Sequence, residues 1–566
     1  MYIDTVPNRN SRPAILLREA WREGKKVKRR TVANLTHWPE EKVEALRLVL
    51  KGETLVPAKD AFVIERSLPH GHVEAILGTM KQIGLDTIIS SQPGRERNLV
   101  MAMIAERLIH PSSKLATARL WHTTTLSEEF SVVDADEDDL YDALDWLLAR
   151  QRRIEKKLAA RHLGEDSMVF YDVTSSYYEG HTCPLARRGH DRDEKGKPII
   201  VYGALTDNEG RPVAVTVYPG NTGDPTTVPD QVEKLKDRFG LARIVLVGDR
   251  GMLTETQIGK IREVPGIGWV SALRSRAIRR LVEGGSLQMS LFDTRDLGEI
   301  ISPDYPDERL IACFNPYLAE ERKRKREALL AATEKKLLAI VRQVEKRTKK
   351  LLGKAEIGKK AGAVLNVFKM GKHFILDIAD NHFSFSRREE SIRREEGLDG
   401  IYVIRTSEPS ERLSPEDAVR SYKSLSRVEQ AFRSLKGIDL LVRPIWLRTE
   451  DHVKAHIFLC MLAYYVEWHM RKALKPLLFD DEELDRNRKA RDPVKPAFPS
   501  SSALKKKTVR RTEDGLPLQS FHTLLAELST RCRNRCRIAS DENAPSFARP
   551  TDPTPLQARA LQLLGL

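Results

Sequence analysis

The clearest hydrophobic pattern begins at Ser167, where apolar and polar side chains alternate through Tyr178 as they do in a half-buried strand. Two more strand patterns follow, over 198–207 and 212–220, joined by the turn Asn208-Glu209-Gly210. An amphipathic helix over 227–240 stops at Gly240. The apolar run 242–251 reads as a strand buried on both faces that ends in an acid. A short helix over 254–263 and a strand over 268–274 complete a β-β-β-α-β-α-β order, which predicts an α/β fold with a mixed sheet.

On either side of this block the periodicity is mainly helical. Lys25-Lys26-Val27-Lys28-Arg29-Arg30 precedes a strand over Thr31–Leu35. From Val73 to Trp121 the spacing predicts helices, with Val100, Met103, Ile104 and Leu108 in one stripe and a break at His110-Pro111-Ser112-Ser113. That break fits a helix-turn-helix reader of DNA or a plain helical bundle. Another helix is expected from Leu140 to Leu163. The sheet pattern is interrupted from Ser275 to Gly400 by a long helix, Ala319 to Leu352, with Leu330, Leu337, Val344 and Leu351 at heptad steps. Residues 320–350 hold twelve Lys/Arg against five Glu, which suits a solvated amphipathic helix or a DNA-facing one. Strand character resumes over 400–407. A single helix is expected from Pro415 to Lys436, capped by Ser414 and stopped by Gly437, with Ala418, Tyr422, Leu425, Val428, Phe432 and Leu435 as its core stripe. An apolar helix spans His456 to Trp468, Asp485 to Arg511 reads as a basic linker or arm, and a last helix covers about Leu518 to Leu528.

The strand–helix order is that of the ribonuclease H-like fold. The expected organisation is an N-terminal, mainly helical DNA-binding region (1–163), a first core segment (164–274), an insertion lobe (275–400), a second core segment (401–480) and a basic C-terminal arm (481–566).

Composition narrows the partner. The 566 residues carry 95 Lys+Arg and 80 Asp+Glu, a net charge of +15, which favours nucleic acid first and an anionic membrane second. No apolar run is long enough to span a bilayer, and the start lacks a secretory pattern, so a protein that stays in the cytoplasm where it is made is expected. Five scattered cysteines (Cys183, Cys313, Cys460, Cys532, Cys536) fit a reducing compartment. Cys532 and Cys536 with His522 lack a second ligand pair for zinc and read as thiols on a helix, and His181, Cys183 and His190 read as loop residues. Gly220 to Asp224 reads as a turn. No phosphate-binding or dinucleotide glycine motif is present in the sequence.

The chemistry lies in three acids. Asp172 is in the first core strand and Asp249 ends the fourth, so the fold order makes them neighbours about 5 Å apart. Two buried carboxylates so close need a cation between them, and magnesium is the expected one. Glu429 is the candidate for a third carboxylate of a two-metal site. It shares a helical face with Tyr422 and Lys436, each seven residues and about two turns away.

Tyr171–Ser175, Val245–Gly251 and Tyr422–Gly437 resemble the three catalytic blocks of bacterial insertion-sequence transposases with an Asp-Asp-Glu triad. They are most similar to the IS-four superfamily, whose third block is a Tyr-Arg-Glu-Lys signature. The likeness runs from about Val169 to Trp468, and Leu16–Gly24 and Ser113–Trp121 also look family-like. Tyr422, Glu429 and Lys436 hold that register, whereas the signature Arg position is Leu425, with Arg427 the expected replacement and Arg433 nearby. The resemblance implies a β-rich insertion lobe over the active site. It also implies Mg²⁺-dependent cleavage at the element's ends and strand transfer into target DNA. Two metal ions (Mn²⁺ substituting), double-stranded DNA bearing terminal inverted repeats, and a homodimer pairing two ends belong to the same expectation. Besides Tyr422, Lys436, Arg427 and Arg433, DNA contacts are expected from Arg250, Arg443 and Arg448. The alternatives are a nuclease of the same fold that cuts without joining, and a non-catalytic DNA-binding protein derived from a transposase.

Overall fold

A computed structural model of the chain describes residues 1–9, 11–53, 61–190, 196–293, 295–348, 351–539 and 544–566. It divides into two units, Met1–Pro69 with Arg531–Asp552, and His70–Thr530 with Pro553–Leu566.

The smaller unit opens with β1 (Tyr2–Val6), β2 (Ala14–Glu23) and β3 (Lys26–Asn34), an antiparallel sheet in the order β1-β2-β3. A helix, Glu40–Leu50, precedes β4 (Phe62–Pro69). The described part of residues 1–69 is therefore mostly strand, of which only a strand over Thr31–Leu35 was expected. The helical periodicity of the N-terminal third starts only at Val73, and the basic run Lys25–Arg30 forms the turn and first half of β3.

The larger unit starts with helices Gly71–Gln82, Arg95–Ile109, Lys114–Leu120 and Glu137–His162. Asp136 caps the last of these with a reciprocal capping box, and Ser113 caps Lys114–Leu120 at the His110–Ser113 break. Arg95–Ile109 is buried without interruption from Leu99 to Leu108 and packs on Glu137–His162 and on the later helix Glu450–Leu474. Arg95–Ile109 is therefore a core helix of the bundle, while the shorter helix after the break leaves Leu115, Arg119 and Leu120 exposed.

The sheet follows as β5 (Ser167–Tyr177), β6 (Ile199–Thr206), β7 (Pro212–Pro219), β8 (Ile244–Gly248), β9 (Ile267–Ala272), β10 (Leu297–Ile300), β11 (Arg309–Phe314), then a separate hairpin β12 (Phe374–Ala379) and β13 (His382–Arg387), and finally β14 (Ile401–Thr406). Eight of these strands form one mixed sheet, ordered β10-β11-β14-β9-β8-β5-β6-β7. β5, β6 and β7 form an antiparallel meander, and β8 lies parallel to both β5 and β9. β8 is buried at all five positions, as its unbroken apolar run requires of a central strand.

The insertion is not wholly a separate lobe, because β10 and β11 join the main sheet through β14. The remainder is dominated by helices, Pro316–Glu345, Lys354–Phe368 and Glu389–Glu396, with the single hairpin β12–β13, so it is not the β-rich lobe that the resemblance implies. Leu330, Leu337 and Val344 are its buried heptad seam and pack with Phe374 and Phe383. The helix ends at Glu345 rather than Leu352; Lys349 and Lys350, within the expected helix, lie outside the described residues.

The predicted helix Pro415–Lys436 is two helices, Pro415–Lys423 and Ser426–Lys436. Ser424 returns its hydroxyl to the carbonyl of Arg420 and Ser426 returns its own to Lys423, the local competition that bends a helix.

Asp485–Arg511 is docked rather than a free arm. It contains helices Leu484–Ala490 and Ser501–Val509, Val494 is buried, and the Lys506 ammonium donates to the carbonyls of Lys475, Leu478 and Asp480. Helices Phe521–Ser529 and Pro555–Leu563 belong to the larger unit. β15 (Cys532–Ile538) and β16 (Phe547–Pro550) return to the smaller unit, where they form a sheet with β4. Cys532 and Cys536 thus sit on a strand, not a helix, and both are free thiols.

Candidate active site

β5 sends alternate side chains to opposite faces of the sheet. Tyr171 and Val173 point to one face, where Gly203 leaves room: a Cβ on Gly203 would stand 2.3 Å from the Tyr171 hydroxyl oxygen. Asp172 and Thr174 point to the other face. Thr174 is paired with Tyr202, whose ring meets Phe432 edge-on at 5.9 Å between centroids. Asp172 therefore faces the side covered by the Ser426–Lys436 helix.

The parallel register pairs Tyr171 with Gly248. Asp172 and Asp249 each follow by one residue, so they stand side by side across one strand spacing of about 4.8 Å. The first-to-fourth-strand adjacency expected from the sequence is thereby present. Asp172 is half-buried and accepts from the backbone N–H of Val173 at 2.8 Å. Asp249 lies just beyond β8 and is exposed; its Oδ2 accepts from the Gly251 N–H at 3.1 Å and its Oδ1 from the Tyr422 phenol at 3.0 Å. Burial, and then the adjacent Asp249 charge, hold the Tyr422 phenol well above its ordinary pKa. The sequence did not single out Arg274, which donates to the carbonyls of Arg250 and Gly251, both at 3.3 Å, and so braces the loop that carries Asp249. Its signal was positional: it directly follows the apolar run of β9, at the same sheet end as Asp249.

Val428, Ala431, Phe432 and Leu435 form the buried face of the Ser426–Lys436 helix. Glu429, Arg433 and Lys436 lie along one flank of that face and Arg427 along the other. Glu429 and Arg433 are exposed and Lys436 is half-buried. Arg427 donates to the carbonyl of Asn208 and to Asp485 Oδ1, the latter at 2.7 Å. Asn208 lies in the β6–β7 turn, beyond the end of β5 remote from Tyr177, so the structure does not bring Arg427 to the aspartates. Tyr422 sits on the preceding helix, so the three signature positions do not share one straight helical face.

At the opposite end of β5, the 443–448 segment runs beside residues 177–182. Tyr178 bridges to Ile445, and the Tyr178 phenol and Thr182 hydroxyl donate to the carbonyls of Leu447 and Arg448. The Arg443 guanidinium and the Lys197 ammonium stand over the Tyr177 ring at 5.6 and 4.9 Å. Arg250 and Arg448 are exposed. Arg250 directly follows Asp249, whereas Arg443 and Arg448 lie along the far end of β5, five or more residues beyond Asp172.

Two aspartates offering hard oxygens suit a divalent magnesium-type ion, which accepts one or two carboxylates and keeps water on its other positions. Among the described residues no group of three or more His, Cys, Asp or Glu is gathered closely enough to hold a metal. The aspartate pair is therefore the fixed part of any such site, and Glu429 stands apart from it.

Residues 164–466 match the family model described as the transposase DDE domain, and residues 3–58 match the N-terminal domain of the IS1634 family of transposases. Among solved structures, a cryo-EM structure of the piggyBac transposase synaptic complex with hairpin DNA is similar at 10% identity. The match covers 78% of this chain and 88% of that one, with a TM-score of 0.35. No curated protein matches the chain. No helix among the described residues is long and apolar enough to cross a membrane.

Proposed function

The chain belongs to the DDE-domain transposases of insertion sequences, and we propose that Asp172, Asp249 and Glu429 are its three catalytic carboxylates. The observation that carries this assignment is the register of β5 and β8, which sets Asp172 beside Asp249 on the face covered by the helix that bears Glu429. The strand order β7-β6-β5-β8-β9 supports reading this part of the mixed sheet as a ribonuclease H-like core. The large insertion enters after β9 and the glutamate helix follows it.

Members of this family work with divalent metal, and here we assign two Mg²⁺ ions, with Mn²⁺ able to substitute. When bound, the metal supplies charge stabilisation to an in-line displacement at phosphorus. The chain's own groups do the rest. Asp172 and Asp249 fix the cation position, with Asp249 oriented by Tyr422 and Gly251. Glu429 completes the set when the end of the element is seated. Lys436, Arg433, Arg250, Arg443 and Arg448 neutralise flanking phosphates and hold the strand in register. In the first step water adds to the scissile phosphorus and the 3′-oxygen leaves as a hydroxyl. In the second, that 3′-hydroxyl adds to a target phosphodiester and expels another 3′-hydroxyl, so the number of phosphodiester bonds is conserved and no external energy source is needed. Pairing of two ends by a homodimer, and work in the cytoplasm at the nucleoid, belong to the same proposal.

The full chain, incubated with Mg²⁺ and a plasmid carrying the DNA that flanks its coding region, should release ends bearing 3′-hydroxyls and join them to target DNA. Cleavage without joining would mark a nuclease instead. End binding with no metal-dependent cleavage would mark a DNA-binding derivative.

A further inference from the structure

The β2–β3 hairpin projects without a core of its own. Every residue from Ala20 to Val32 is exposed, yet the strands remain paired to the turn: Ala20 with Arg29, Trp21 with Lys28, Arg22 with Val27 and Glu23 with Lys26. Paired residues share a face, so Ala20, Arg22, Val27 and Arg29 line one side and Trp21, Glu23, Lys26 and Lys28 the other. Trp21 is 43% exposed and Val27 57%.

The charge on this ribbon is one-sided in sign. Residues 18–31 contain seven Lys/Arg and two Glu. Arg18 is paired with Asp4, Arg30 with Glu19 and Lys28 with Glu23. Arg22, Lys25, Lys26 and Arg29 have no ion pair among the described residues. Lysines on an exposed edge strand such as β3 can simply prevent edge-to-edge pairing. β1 covers β2 only as far as Arg18, so Arg22 is on an open edge as well, but edge protection does not explain an aromatic ring left in solvent between cations.

We propose that this hairpin is a DNA-binding ribbon that enters the major groove. Two strands about 4.8 Å apart fit a groove about 12 Å wide and 8.5 Å deep. Arg22 and Arg29 on one face, with Lys25, Lys26 and Lys28 at the tip and on the other, meet phosphates on both walls, while Trp21, on the face of Lys26 and Lys28, reaches apolar base edges. The inference deepens the transposase reading by naming an element that grips the substrate, and it rests on that reading for the identity of the DNA.

The test uses the full-length protein with R22A, K26A and R29A combined, and separately W21A. Affinity for a labelled duplex of the flanking terminal sequence, and for a scrambled duplex, is measured over a range of salt. The triple variant should bind at least about ten-fold more weakly, and its log–log salt dependence should flatten by about two to three units, near 0.9 per lost phosphate contact. Protection of guanine N7, a major-groove atom, from dimethyl sulfate should disappear at the hairpin's footprint. W21A should lose preference for the terminal over the scrambled duplex. A charge-conserving variant, R22K with R29K, should keep the salt slope. Repeating the measurements in an Asp249→Ala background separates the two proposals, because the binding loss persists there whatever becomes of cleavage. Unchanged affinity and slope in the triple variant would overturn the assignment. So would binding to phosphatidylglycerol vesicles that the triple substitution abolishes while DNA binding survives.

Discussion

The Tyr422 phenol and the Asp249 carboxylate are joined by a 3.0 Å hydrogen bond that links the helix before the kink to the end of β8. One oxygen of Asp249 is thereby fixed by a side chain and the other by the Gly251 N–H. A carboxylate held at both oxygens does not have to be ordered when it takes up its cation, which lowers the cost of assembling the site.

Tyr422→Phe tests that arrangement. It retains the ring, which packs against the core, and removes only the donor. Cleavage of an end duplex should slow about ten-fold, equivalent to about 1.4 kcal/mol, with DNA affinity and thermal stability near wild type. Cleavage at the wild-type rate would place the phenol outside the chemistry.

Arg427 and Arg433 should behave oppositely. Arg427 is committed to Asn208 and Asp485 on the flank away from the acids, so Arg427→Ala should cost stability by at most about 1 kcal/mol and leave cleavage of bound DNA intact. Arg433 is on the Glu429 flank, and Arg433→Ala should raise the dissociation constant for end DNA several-fold. If Arg427→Ala lost cleavage while folded, that residue would take the signature arginine's role despite its position.

Gly203→Ala would bring a methyl group within 2.3 Å of the Tyr171 hydroxyl oxygen and push the ring that lies beneath Asp172. Denaturant unfolding should show a loss of about 1–3 kcal/mol, and the surviving folded protein should cleave more slowly. A neutral result in both measurements would mean that Tyr171 relaxes without moving β5.

Lys114 is buried in the helical bundle. Burial, and then the nearby Arg107 charge, lower its pKa to about 7. His456 is also buried, and its pKa is held well below the ordinary value. The folded state thus binds fewer protons than the unfolded state between about pH 7 and the ordinary lysine value of 10.5, so this residue's contribution to stability rises with pH across that window. Lys114→Met should raise the melting temperature most at or below pH 7, and the gain should shrink toward pH 10. A gain independent of pH would show that the ammonium is not the source of the penalty.

Much of this core was legible because its strands are long or uniformly apolar. β5 runs for eleven residues, none of them exposed, so it is covered on both faces rather than half-buried as expected, and β8 is apolar throughout; their adjacency, and with it the Asp172–Asp249 pair, followed from element order. The four residues of β10 are too few to reveal a period, and its pairing partner β11 reaches the sheet only through a strand 87 residues farther on, β14. The kink after Lys423 was hidden because the apolar stripe continues through Leu425, which is itself buried; the two serines bracketing Leu425 were the available signal. The N-terminal strands were hidden because residues 20–32 are exposed on both faces of their hairpin and so carry no apolar alternation.

The central claim is that Asp172, Asp249 and Glu429 act together on DNA, and single-turnover cleavage tests it most directly. Asp172→Asn, Asp249→Asn and Glu429→Gln keep side-chain size while removing the negative charge that holds a divalent cation. Each should reduce Mg²⁺-dependent cleavage of an end duplex by about three orders of magnitude or more, while binding to the same duplex stays near wild type. Cleavage retained by any one of the three would contradict the assignment of that carboxylate.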